Sequence, residues 1–272
     1  DGRGGARQVA PRGRAARGAC RGRGARHPGE LARGARAVLR DLVAVRAYLA
    51  EYYRYISYLD AQIGRILDAL DVSPFASNTI VVFSADSGVA CGSHGLIGKQ
   101  NLYEFDSVRV PLLMSGPGIP AGRRTDAMCY LFDVLPTLGK LCGVPAPRTS
   151  EGRAFTATLK DPAKPARAEL LFAYRSVQRA VRDERWKLIR YPLVDRTQLF
   201  DLAADPQEIN NLSGKPEHAK KVAELMALLA RQQKKFGDRA PLTVANPSHA
   251  VWTPPVPTNS PANPRQLNRS EP

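Results

Sequence analysis

Ile80-Val81-Val82-Phe83-Ser84-Ala85-Asp86-Ser87-Gly88 is the stretch on which the fold of this chain turns. Its first five residues are apolar or β-branched up to the closing serine, and turn formers stand on both sides. That pattern reads as a short buried strand. Upstream, Leu49, Tyr52, Tyr53, Ile56, Leu59, Ile63, Ile66, Leu67 and Leu70 recur at steps of three and four residues. They predict an amphipathic helix over 41–71 with one broad apolar face, stopped by Pro74. Helix followed by buried strand is the rhythm of an α/β sheet. A second strand is read at Val110-Pro111-Leu112-Leu113-Met114, closed by the turn Gly116-Pro117-Gly118. A helix from Asp133 to Leu141 then ends at Gly143, a residue type suited to the left-handed position after a helix.

Beyond about residue 150 the pattern changes. Arg179-Ala180-Val181-Arg182 and Trp186-Lys187-Leu188-Ile189-Arg190-Tyr191 form a hairpin through Asp183-Glu184, and Gln198–Leu202 is a third short strand. Pro216 suits the first position of a helix, whose apolar stripe is Val222, Leu225, Met226, Leu228 and Leu229. A small antiparallel sheet packed on a helix is expected. The chain therefore divides into an Arg/Gly/Ala-rich arm (1–40), an α/β part (41–150), a small α+β subdomain (151–238) and a Pro/Asn-rich tail (239–272).

Of the 272 residues, 40 are Lys or Arg and 25 are Asp or Glu, for a net charge of +15. Most of that excess lies in the arm, where eleven arginines face only Asp1 and Glu30. The arm has few large apolar residues and is expected to be disordered. It also has the character of GC-rich coding sequence read in a wrong frame. No Phe or Tyr interleaves its arginines for base stacking, so nucleic acid is not the expected partner. No apolar run approaches the ~20 residues of a membrane span, and the start shows no apolar segment of a secretory signal. Cys20, Cys91, Cys129 and Cys142 form no C-x-x-C pair, which argues against structural zinc and for free thiols.

Chemistry concentrates in Ser84-Ala85-Asp86-Ser87-Gly88 and Gly92-Ser93-His94-Gly95-Leu96-Ile97-Gly98-Lys99. Ligands of open α/β sheets bind beyond the carboxyl ends of the strands, where Asp86 falls. A carboxylate there suits a hard divalent cation. Lys99, in a Gly-flanked loop, can return to the same cleft and present an ammonium to an oxyanion, with His94 donating or accepting beside it. The expectation is that Asp86 and Lys99 converge at the edge of a parallel sheet. The same residues, taken bare, also fit a turn-forming Asp and a structural His.

The ordered blocks Asp86-x-Gly88, Gly92-x-His94-Gly95-Leu96-x-Gly98-Lys99-x-x-Leu102-Tyr103-Glu104, Val108-Arg109-Val110-Pro111-Leu112 and Gly116-Pro117-Gly118-Ile119 resemble the sulfatase family of the alkaline phosphatase superfamily. Tyr55-x-x-Tyr58-Leu59-Asp60, Asp133-x-x-Pro136-Thr137-Leu138, Trp186-Lys187-Leu188-Ile189 and Leu199-Phe200-Asp201-Leu202-x-x-Asp205-Pro206-x-Glu208-x-x-Asn211-Leu212 are similar to it as well. The resemblance covers about residues 45–235. It implies an α/β fold, a partial alkaline-phosphatase-like sheet with flanking helices followed by a small C-terminal antiparallel sheet on a helix. It implies hydrolysis of sulfate esters on a sulfated small molecule or glycan, with Ca2+ and a formylglycine made from the Cys of a C-x-P-x-R motif. By resemblance Asp86 matches a calcium ligand and Lys99 the sulfate-binding lysine. Ser87 stands at a metal-ligand position where the family carries Asn or His, and His94 is a catalytic candidate.

Two departures accompany the match. Ser87 offers a shorter and poorer ligand than Asn, and no cysteine of this chain lies in C-x-P-x-R. The expectation is a truncated sulfatase chain, inactive alone and a weak binder of calcium. The alternatives are a non-catalytic sulfatase-fold binding protein and a phosphate- or phosphonate-ester hydrolase of the same superfamily.

Overall fold

The computed structural model describes residues 42–250. The arm, Cys20 and the tail beyond residue 250 lie outside the described residues. Helix α1 (Leu42–Asp71) leads to β1 (Val81–Ser84), the short strands β2 (Ala90–Cys91) and β3 (Ile97–Gly98), a π-helical turn at Glu104–Val108, and β4 (Leu112–Ser115). Helices α2 (Val134–Cys142) and α3 (Thr156–Lys160) follow. The C-terminal part holds β5 (Leu170–Tyr174), β6 (Gln178–Arg182), β7 (Trp186–Tyr191), β8 (Arg196–Asp201) and α4 (Ala219–Phe236).

The C-terminal sheet is a four-stranded antiparallel meander in the order β5-β6-β7-β8. Its alternation sends side chains to two faces. Val181, Leu188 and Leu199 are fully buried on one face against Leu225, Leu228 and Leu229 of α4. Ala180, Ile189 and Phe200 pack on the other face against Leu102 and Tyr103, which lie just after Lys99 in the chain. Each fully buried aliphatic side chain contributes about 1.5–3 kcal/mol. This sheet therefore holds α4 on one side and the candidate site's own loop on the other. Strand β5 has no counterpart in the sequence reading. Leu170-Leu171-Phe172-Ala173-Tyr174 is a continuous apolar run with no alternation, and so short a run fits helix or strand alike.

The N-terminal part departs from expectation in two ways. First, β1 pairs only with β4 among the described residues, and the pairing is antiparallel, Val81 opposite Ser115 and Ser84 opposite Leu112. The helix-strand rhythm suggests a parallel sheet, but rhythm carries no information on strand direction. Second, the apolar surfaces stay uncovered. Phe83 and Leu113, register partners, are both exposed, as are Ile56, Leu59, Ile66 and Leu67 on α1. The stripe read from the sequence is a helix face; it is not, among the described residues, a buried one. Helix α2 ends at Gly143 in the left-handed conformation (φ 71°), as its sequence requires. Asp133, fully buried ahead of α2, takes a bidentate guanidinium from Arg167 and the amides of Tyr130 and Arg153. Although burial works to raise it, these donors hold the Asp133 carboxyl below its usual value.

Candidate functional site

Asp86 sits two residues past the end of β1, and Lys99 follows β3 directly. Lys99 Nζ donates to Asp86 Oδ1 at 3.0 Å, and the Ser87 amide donates to the same oxygen at 2.7 Å. Both charged side chains are open to solvent, Lys99 by 51 % and Asp86 by 81 %. Hydrogen bonds from Lys99 and from the Ser87 amide hold the Asp86 carboxyl below its ordinary value. The structure thus brings these two groups together. It does so beside an antiparallel strand pair, where the sequence suggested a parallel sheet.

Gly88 fixes the turn after Asp86. Its amide donates to Ser107 O at 2.8 Å, and a Cβ at this position would lie 2.5 Å from the Asp106 carbonyl oxygen. Only glycine allows the strand end to lie this close to the π-helical turn. That turn closes with the amides of Val108 and Arg109 donating five residues back, to Tyr103 O and Glu104 O. Single π-turns of this type concentrate at functional sites.

His94 occupies a left-handed backbone conformation (φ 53°) in the Gly92–Gly95 turn. Its ring stacks on Tyr103 at 3.9 Å between centroids, the ring planes nearly parallel. Nδ1 is 2.8 Å from Asp106 Oδ2, and Nε2 faces the carbonyl oxygens of Gln207 at 2.9 Å and Glu208 at 3.2 Å. Both nitrogens are thus engaged by groups other than Asp86 and Lys99.

Sequence reasoning did not find what lies beneath this loop. Lys187 and Glu208, both 0 % exposed at the side chain, form an ion pair at 2.9 Å. Lys187 Nζ also donates to Leu102 O and lies 3.3 Å from Glu104 Oε1. The Oε1 atoms of both glutamates meet the ammonium as ion-pair partners without hydrogen-bond alignment. Glu208 Oε2 accepts the Glu104 amide, and Arg182 donates to Glu104 Oε2 at 2.9 Å. Burial pushes the Glu208 carboxyl up, against the opposing pull of Lys187. Residues 104, 187 and 208 are too far apart in sequence for spacing to reveal them. The one available signal was a lysine at an inward position of a strand, two residues before the core residue Ile189.

A calcium shell needs six to eight oxygens. Asp86 offers one carboxylate and Ser87 one hydroxyl. No group of three or more His, Cys, Asp or Glu side chains among the described residues could hold a metal. The donor set of this chain therefore does not fit the ion by itself, and the missing C-x-P-x-R cysteine leaves formylglycine without a precursor. Among the described residues no helix is long and apolar enough to cross a membrane.

Comparison with known proteins places the chain in a recognised family. The family model for sulfatase matches residues 8–144, and that for the C-terminal part of N-sulphoglucosamine sulphohydrolase matches residues 92–235. The chain belongs to the sulfatase family. An N-acetylglucosamine-6-O-sulfatase from Bacteroides thetaiotaomicron is 35 % identical over 207 residues, covering 71 % of this chain and 37 % of the relative. A solved structure in complex with its substrate D-glucosamine-2-N,6-O-disulfate is similar with a TM-score of 0.67 and 29 % identity, over 79 % of this chain and 47 % of the other. A phosphonate monoester hydrolase from Agrobacterium radiobacter is similar with a TM-score of 0.60 and 26 % identity, over 70 % and 42 %. The chain thus spans less than half the length of these proteins.

Proposed function

We propose that this chain supplies the Lys99/Asp86 half of a sulfate-ester hydrolase site, with Lys99 contacting the sulfate oxygens and Asp86 offering one carboxylate to a divalent cation. The observation that carries this reading is the exposed 3.0 Å pair between Lys99 and Asp86 at the mouth of β1 and β3. An exposed ion pair contributes little to stability. A sulfate can therefore draw Lys99 away from Asp86 at small cost. Ser87 stands beside Asp86 in the chain, and its amide donates to the same Asp86 oxygen that takes Lys99. His94 is already engaged at both nitrogens, so its part is to hold the loop. The names of the sulfated amino-sugar relatives support a sulfated glycan as substrate class.

The nucleophile is not among the cysteines of this chain. Loss of a nucleophile from a cooperative catalytic unit costs roughly 10⁶ in rate. The 272-residue chain is therefore expected to show no measurable aryl-sulfate turnover with calcium present. Inorganic sulfate is expected to shift the NMR signals of the Lys99 side chain and of the Ser87 amide beside it, and the Ser87 shift is expected to be lost in Lys99→Ala. Turnover by this chain at the rate of a full-length sulfatase, or a sulfate response that survives Lys99→Ala, would refute the reading. Likeness to the phosphonate monoester hydrolase favours one alternative, an ester hydrolase acting on phosphonates. A Lys99 response to methylphosphonate much stronger than to sulfate would select it.

A further inference from the structure

Resting on the reading of Asp86 and Lys99 as the ligand-facing pair, we propose that Glu208 and Lys187 of the C-terminal subdomain are positioning residues for that pair. They set the site from 104 and 101 positions away from Glu104 and Asp86 respectively in chain order, through two contiguous lines of contact.

The first line reaches Asp86. Glu208 Oε2 accepts the Glu104 amide, and Lys187 donates to Leu102 O while pairing with Glu104 and Glu208. These contacts fix the entry of the π-helical segment, at Leu102 and Glu104. Ser107, in the same segment, accepts the Gly88 amide at 2.8 Å, and Gly88 is tight against Asp106. Asp86 is two residues away. The second line reaches Lys99. The carbonyls of Gln207 and Glu208 face His94 Nε2, Asp106 faces Nδ1, and Tyr103 covers the ring. The turn that carries His94 is closed by Gly92 N donating to Leu96 O at 2.8 Å and runs through β3 into Lys99.

Glu208 serves both lines at once, through its carboxylate and its carbonyl. It does so in a left-handed backbone conformation (φ 57°) that a non-glycine residue adopts only when its surroundings enforce it. The charges balance, Lys187 and Arg182 against Glu104 and Glu208, and the Lys187–Glu208 pair is wholly inaccessible. A buried ion pair is a poor device for stability alone, since well-packed apolar residues do as well or better. Its distinctive contribution is direction: hydrogen bonds fix the register of the loop on the sheet, where an apolar contact would allow it to slide. Lys187 also stands opposite Phe200 in the β7–β8 register, on the face that holds Leu102 and Tyr103. The sheet thus presents an apolar floor and one ionic peg to the same loop.

The test uses the full chain and the variants Glu208→Gln, Lys187→Met and the double variant, with Arg54→Ala, on the exposed pair with Glu51, as control. Glu208→Gln keeps an acceptor for the Glu104 amide and removes only the charge. The double variant leaves no orphaned charge, so it answers the question if either single variant fails to fold. Three readouts are taken: amide hydrogen exchange over 86–108, the same over α4, and the NMR response of Lys99 to inorganic sulfate. Positioning predicts, in the double variant, exchange over 86–108 roughly tenfold faster and sulfate binding roughly tenfold weaker, with α4 protection unchanged. It further predicts loss of the protected His94 Nε2–H signal, and wild-type behaviour in the control. In that double variant, unchanged exchange over 86–108, or loss of protection over α4 in step with it, overturns the proposal. Absence of any sulfate response in the unmodified chain overturns the ligand reading instead, and the exchange data still decide the positioning.

Discussion

Two lysine–carboxylate pairs of almost equal length stand within this molecule, and their surroundings give them opposite tasks. Lys99–Asp86 measures 3.0 Å and Lys187–Glu208 2.9 Å. The first is open to water on both sides; the second is closed to it. In water the attraction between such groups is weak and easily exchanged for a ligand. Away from water, neither partner can be removed without leaving a charge uncompensated. The same chemistry therefore makes a replaceable contact at the surface and a fixed peg beneath it. The contrast extends to the regions that carry them. The C-terminal sheet closes around a core of Val181, Leu188, Leu199, Leu225, Leu228 and Leu229, whereas α1, β1 and β4 leave large apolar side chains exposed.

The sharpest way to break the comparison is to make the same substitution in both lysines. Lys187→Met leaves Glu104 and Glu208 buried without their ammonium and is expected to cost about 3–5 kcal/mol, read as a fall in the urea midpoint or as failure to fold. Lys99→Met is expected to leave that midpoint in place. Equal effects would mean that burial does not separate the two pairs. A comparable contrast should hold between the apolar regions. Leu229→Ala, at a fully buried position of α4, is expected to cost about 2–5 kcal/mol. Ile66→Ala, 68 % exposed on α1, is expected to change stability by less than about 0.5 kcal/mol. A large loss at Ile66 would show that the face of α1 is covered in solution.

The smallest effect concerns pH. A hydrogen-bonded ion pair with Arg179, reinforced by Gln233 and the Ala240 amide, holds the Asp238 carboxyl down to about 2 despite some burial. A carboxyl depressed on folding stabilises above its unfolded value of ~3.9. That contribution is lost as pH falls from there toward 2, where the unfolded chain binds the proton first. The urea midpoint of the unmodified chain should therefore fall across this window, and Asp238→Asn should shallow the fall. An unaltered slope in the variant would assign the acid sensitivity to other carboxyls, such as Asp133 and Asp201, which are also held low.

Local pattern was enough for several elements. The three- and four-residue steps with Pro74 located α1, Gly143 located the end of α2, and Asp183-Glu184 located the turn between β6 and β7. These are decided by near neighbours in the chain, through periodicity, capping and turn chemistry. The direction of β1 against β4 was not, because strand pairing depends on a partner 28 or more residues away. Strand β5 was missed because its apolar run has no distinguishing period.

The sequence by itself determined that the chain carries the ordered motifs of a sulfatase, and that Asp86 and Lys99 lie on neighbouring turns. Short-range physics and fixed spacing govern both. Only the tertiary structure decided that His94 is tied to the C-terminal loop and that Lys187 and Glu208 sit beneath the site. Contacts of His94 with the Gln207 and Glu208 carbonyls, of Glu208 with the Glu104 amide and of Lys187 with Leu102 O join segments about one hundred residues apart, which no spacing encodes, and exclusion from water gives the Lys187–Glu208 pair its strength.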